Sequence, residues 1–165
     1  MGRFAAGEAP EADAIVADAI LRIGGEIEAL AVPQLRGVVL GGGYGRGEGG
    51  VRESVKCKME SVECRLSNDL DFFAITDEGA DEGRAAPRIA AALEPVSAEW
   101  TRNLGIDVDF TVKTPWRLKH DMERLMVQEL LHGYADVAGE KGEILFAGLE
   151  KREPSALPWM EAARL

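Results

Sequence analysis

Two short stretches constrain this chain more than any other feature: Leu40 to Glu48, LGGGYGRGE, and Ser67 to Thr76, SNDLDFFAIT. The first is a glycine-rich turn after an apolar run. The second places Asp69 and Asp71 one residue apart at the mouth of another apolar run. On a β-strand, alternation sends both carboxylates to one face, with their Cα atoms about 6–7 Å apart. That spacing lets two carboxylates share hard divalent cations. IDVDFTV, Ile106 to Val112, repeats the device with Asp107 and Asp109. If the two strands lie in one sheet, up to four carboxylates converge, a costly cluster unless cations fill it.

The rest of the chain supplies a scaffold of mixed type. Ile15, Val16, Ile20, Ile23, Ile27 and Leu30 recur at helical spacing from Glu11 to about Leu30, with Gly24 and Gly25 expected to bend or weaken the helix. Val38 to Leu40 read as a short buried strand. Between Arg52 and Leu66 apolar and charged residues alternate, predicting a β-hairpin that turns near Glu60 and Ser61. Arg84 to Asn103 reads as helix, with Pro87 and Pro95 as interruptions and Gly105 as its end. Pro115 opens the way to one helix over about Lys119 to His132, with Gly133 as C-cap, and EILFA, Glu143 to Ala147, reads as a last short strand. Strands and helices follow no strict βαβ rhythm, so the expected class is α+β: a small mixed sheet flanked by helices.

Composition fits a folded chain of this kind. At 165 residues and 46% apolar content it can bury a core, and no apolar run approaches the roughly 20 residues that span a bilayer. A non-membrane, cytoplasmic protein is the expectation, since two cysteines are too few for a disulfide scaffold. The net charge of −10 repels phosphate backbones and makes nucleic acid an unlikely partner. The domain reading is a loose leader over 1–10, one domain over 11–150, and over 151–165 the start of a C-terminal helical segment. LPWMEAARL begins like an amphipathic helix and stops without a cap, so the chain is expected to be truncated or naturally short, with further helical structure in a missing C-terminal lobe or a helical partner protein.

Other motifs fit poorly. Gly45, Gly47 and Gly50 satisfy GxGxxG, but a dinucleotide fold needs a helix straight after the glycines, and here the pattern alternates like strands. No GK[ST] follows, so a P-loop is excluded. Cys57, Cys64, His120 and His132 do not match zinc spacing. Trp116, Trp159 and Phe146 read as core residues, and His132 as a partner of a helix C-terminus.

Taken together, Gly42, Gly43, Arg46, Gly47 and Glu48, then Asp69 and Asp71, then IDVDF resemble the DNA polymerase β-like nucleotidyltransferases, most of all their minimal bacterial members. The resemblance covers about Val38 to Val112. It implies a polymerase β palm-like fold, here with an inserted β-hairpin, and transfer of a nucleoside monophosphate from an NTP, ATP first, to an acceptor hydroxyl with release of pyrophosphate. It further implies Mg²⁺ or Mn²⁺ as cofactor in a two-metal reaction. Asp69 and Asp71 would hold the metals, with Asp107 favoured as third carboxylate and Asp109 second. Gly42 and Gly43 would approach the triphosphate, Arg46 would contact phosphate and Glu48 would order the turn. The expected acceptor is a small molecule such as a sugar or antibiotic hydroxyl, or a protein side chain, with a nucleic-acid end least favoured by the net acidity. Gly43 stands where the family often has serine, and the hairpin lengthens the usual gap, which could bring Lys56, Lys58 and Arg65 toward the phosphates or acceptor. The alternative function is a nucleotide-binding or inactive partner or antitoxin-like module of a toxin–antitoxin or helical partner system.

Overall fold

The computed structural model describes residues 3–7, 9–55 and 62–153. It is mixed α+β, as expected, with one four-stranded sheet between two groups of helices. The strands are β1 (Leu35–Leu40), the hairpin pair β2 (Val51–Val55) and β3 (Val62–Leu66), β4 (Leu70–Thr76), β5 (Val108–Lys113) and β6 (Ala135–Gly139). The main sheet runs β5-β4-β1-β6, with β1 antiparallel to β4 and β6 and with β4 parallel to β5.

The apolar residues of β4 fall on both faces, and each face has its own cover. Leu70, Phe72 and Ala74 join one core with the long helices α1 (Pro10–Leu30) and α3 (Glu82–Leu104). Phe73 and Ile75 join a second core against α4 (Pro115–His120), α5 (Leu125–His132) and α6 (Gly142–Leu145). Between β1 and β2 the glycine-rich stretch folds as a short helix, α2 (Gly42–Arg46).

Several local expectations change. The glycines do not break α1, which runs unbroken over 21 residues. A Cβ at Gly24 would overlap the carbonyl oxygen of Val137, so this glycine lets α1 pack directly on the β6 backbone. Neither Pro87 nor Pro95 interrupts α3. Each proline costs about 3 kcal/mol inside a helix. Ala85, Ile89, Leu93, Val96 and Trp100, spaced by three or four, bury one continuous face and outweigh that cost. The helix expected over Lys119 to His132 is instead two, α4 and α5, parted at the buried Asp121. EILFA is not a strand. Leu145 and Phe146 are both buried while Ile144 is exposed, a pattern that a helical turn satisfies and strict alternation does not. The sheet edge is filled by β6, whose ADVAG sequence lacks the branched run that flags a strand.

The segment read as a loose leader is tied down where it is described. Phe4 and Ala5 are buried, and the Asp13 carboxylate accepts hydrogen bonds from the N–H groups of Arg3, Phe4 and Ala5 at 2.8–2.9 Å. Burial pushes the Asp13 carboxyl up, but these donors prevail and hold it below the ordinary aspartate value. The hairpin forms as expected, with Val55 opposite Val62. Its expected turn at Glu60 and Ser61, together with Lys56 and Lys58, lies outside the described residues, as does 154–165. Among the described residues no helix is long and apolar enough to cross a membrane.

Candidate active site

The end of β1 and the starts of β4 and β5 meet at one edge of the second core. The Gly41 N–H donates to the Asp71 carbonyl at 2.8 Å, which sets α2 beside the first residues of β4. Parallel pairing aligns Asp71 with Asp109, and Leu70 with Val108. Since Leu70, Phe72 and Val108 enter the first core, alternation sends Asp69, Asp71 and Asp109 to the other face. Asp107 precedes β5, and its carbonyl accepts from the Leu70 N–H at 2.9 Å. All four acids are exposed as residues.

Asp71 is the centre of this group. Its carboxyl is held above the ordinary aspartate value, first by burial, then by the charges of Asp69 and Asp109; Arg46 opposes the shift and Glu129 adds to it. Asp109, abreast of Asp71 on the neighbouring strand, is the acid of β5 whose charge bears on it.

Gly42 explains the burial. Its φ is +60°, and a Cβ there would overlap the Asp71 Oδ2 atom. Only a residue without a side chain lets α2 lie this close to the carboxylate. Gly43 differs: a Cβ there would lie 3.6 Å from the Glu48 carbonyl oxygen, an ordinary contact, so the missing serine is not excluded by space.

Arg46 closes the other side of α2. Its Nε lies 2.9 Å from Glu48 and its Nη1 lies 3.7 Å from Glu129 on α5. Nη1 is buried and makes no well-formed hydrogen bond. The Glu48 N–H in turn donates to the Gly43 carbonyl at 2.8 Å. Glu129 is the member of this group that sequence reasoning missed. It falls at a helical offset among Met122, Leu125, Met126 and Leu130, where it reads as an interruption of an apolar face; the partner that explains it is 83 positions upstream in sequence.

Among the described residues the hairpin meets the site at its base. The Ser67 N–H donates to the Gly50 carbonyl at 3.1 Å and to the hydroxyl of buried Tyr44 at 3.2 Å. The Gly50 N–H donates to the Asn68 side chain at 2.9 Å. The bond between Gly50 and Ser67 closes the described strands β2 and β3 at their base, two residues before Asp69.

Among the described residues no three His, Cys, Asp or Glu side chains stand as a ready-made metal cluster. The donor set nevertheless suits a hard divalent cation. It is all carboxylate oxygen and its charges repel. Comparison with known proteins gives no match to a family model, a curated protein or a solved structure.

Proposed function

We propose that this protein is a nucleotidyltransferase that moves a nucleoside monophosphate from an NTP to an acceptor hydroxyl. The observation that carries the reading is the pairing of Asp71 with Asp109 on parallel strands, with Gly42 of α2 lying against the Asp71 carboxylate. Asp69, Asp71 and Asp109 would hold Mg²⁺ or Mn²⁺. Such ions, when bound, neutralise charge on the triphosphate and lower the pKa of an attacking hydroxyl. Asp109 takes the place of third carboxylate ahead of Asp107, because it is the acid level with Asp71.

The chain's own residues do the rest. The carboxylates fix the direction from which the acceptor hydroxyl approaches, and Asp109 can accept its proton. Backbone N–H groups of Gly42 and Gly43 would face a triphosphate bound beside Asp71. Arg46, braced by Glu48 and Glu129, presents a positioned cation beside Asp71. Positioning and charge neutralisation are the main sources of rate in phosphoryl and nucleotidyl transfer.

The test is a melting experiment with each of the four NTPs and Mg²⁺ or Mn²⁺. Ligand at 100 times its dissociation constant stabilises by about 2.7 kcal/mol, which for a chain of this size is a rise of roughly 5–10 °C. A flat response to all eight combinations would remove the reading. With a labelled NTP and a responsive acceptor, Asp109→Asn should abolish transfer and Asp107→Asn should retain most of it.

A further inference from the structure

Away from the carboxylates, charge of the opposite sign collects on one stretch. Residues 113–124 hold Lys113, Arg117, Lys119 and Arg124 against Asp121 and Glu123, in a chain whose net charge is −10. Three of these cations converge on one buried carboxylate. Arg117 Nε and Arg124 Nε each lie 3.2 Å from Asp121, and Lys113 Nζ lies 3.9 Å away. One carboxylate cannot neutralise three cations, so a positive surplus remains. The cations are held in place, and an incoming anion need not order them.

An aromatic platform stands on α4, the helix that carries Arg117 and Lys119. Trp116 was expected in the core; it is 54% exposed. His120 stacks on its indole, with ring centres 3.8 Å apart and planes at 25°. His120 Nδ1 lies 2.9 Å from the Trp116 carbonyl oxygen, and because a carbonyl only accepts, Nδ1 carries the hydrogen. The platform is therefore ordered before any ligand arrives.

We propose that this surface binds single-stranded nucleic acid, with an unpaired base on Trp116 and phosphates at Arg117, Lys119 and Arg124. A flat apolar ring beside cations, of which Arg117 and Arg124 are held by Asp121, matches the two surfaces of a nucleotide strand, its base and its backbone. A duplex offers only backbone, since its bases are already stacked. The overall acidity does not forbid this, because charges more than about 8 Å away are largely screened at physiological salt. Lys113 shares a strand face with Asp109, four residues further along β5, roughly 13 Å away. The binding itself rests on none of the chemistry proposed for the carboxylates.

The experiment is fluorescence anisotropy of a labelled single-stranded 12-mer RNA, free of divalent metal and NTP, between 50 and 200 mM salt. Three phosphate contacts predict a slope of log affinity against log salt near about −2. Trp116→Ala should weaken binding about tenfold, and the double variant Arg117→Ala, Lys119→Ala should flatten the slope. The duplex 12-mer should bind at least several-fold more weakly. The melting response of Trp116→Ala to Mg²⁺–NTP, measured in parallel, should match that of the unaltered protein, so loss of RNA binding is read separately from loss of the nucleotide site. No binding at 50 mM salt, unchanged affinity in Trp116→Ala, or displacement by polyglutamate as effective as by unlabelled RNA would overturn the proposal. The last result would make the surface a dock for acidic peptide.

Discussion

Replacing Gly42 with alanine probes the one contact on which the site geometry most depends. Two costs are expected, and they are separable. Alanine at φ +60° strains the backbone by about 1–2 kcal/mol wherever it occurs. The new Cβ also overlaps Asp71 Oδ2, and moving that carboxylate or α2 adds about 1–2 kcal/mol of overpacking. The sum, roughly 2–4 kcal/mol, corresponds to a fall in melting temperature of about 5–12 °C. Asp71→Ala removes the overlap and leaves the backbone strain. In that background Gly42→Ala should therefore cost only about 1–2 kcal/mol. The assay is a double-mutant cycle by urea denaturation at pH 7, with a coupling energy of about 1–2 kcal/mol expected. Equal losses in both backgrounds would show that Gly42 is needed for its backbone conformation alone, and that it does not press on the carboxylate.

Asp71→Asn should stabilise the metal-free protein at pH 7 by up to about 1 kcal/mol, a value kept small because the residue is exposed and its charges are screened. The sign follows from its raised pKa. The folded state holds the Asp71 proton more tightly than the unfolded one, so the penalty is full above the folded pKa and gone below the unfolded value of about 3.8. Melting curves from pH 7 to pH 3.5 should show the gain shrinking as pH falls; a gain that grows would reverse the assignment. On the far side of α5, buried Gln128 donates to the carbonyls of Met122 at 2.8 Å and Glu150 at 3.3 Å and accepts from the Arg152 N–H at 2.7 Å. Gln128→Leu should cost about 2–4 kcal/mol and speed amide exchange at Arg152, which unchanged protection there would contradict.

The local devices of this chain are written in its residues. Alternation alone places Asp69 with Asp71 and Asp107 with Asp109, since a strand has period two whatever surrounds it. The apolar spacing of α1, the positive-φ end of α3 at Gly105 and the paired strands of the hairpin follow from the same short-range rules. The long-range choices do not. Register between β4 and β5 decides that Asp109 is level with Asp71, and no property of either segment alone contains that register. Pro87 and Pro95 read as helix breakers until the buried face of α3 outweighs them. ADVAG becomes a strand because β1 offers it an edge, while the more strand-like EILFA turns into α6 to bury Leu145 and Phe146 together. Glu129 has meaning only once α5 is folded back against Arg46. Local geometry repeats along a chain and can be read from it; packing energy depends on which surfaces meet, and only the tertiary structure decides that.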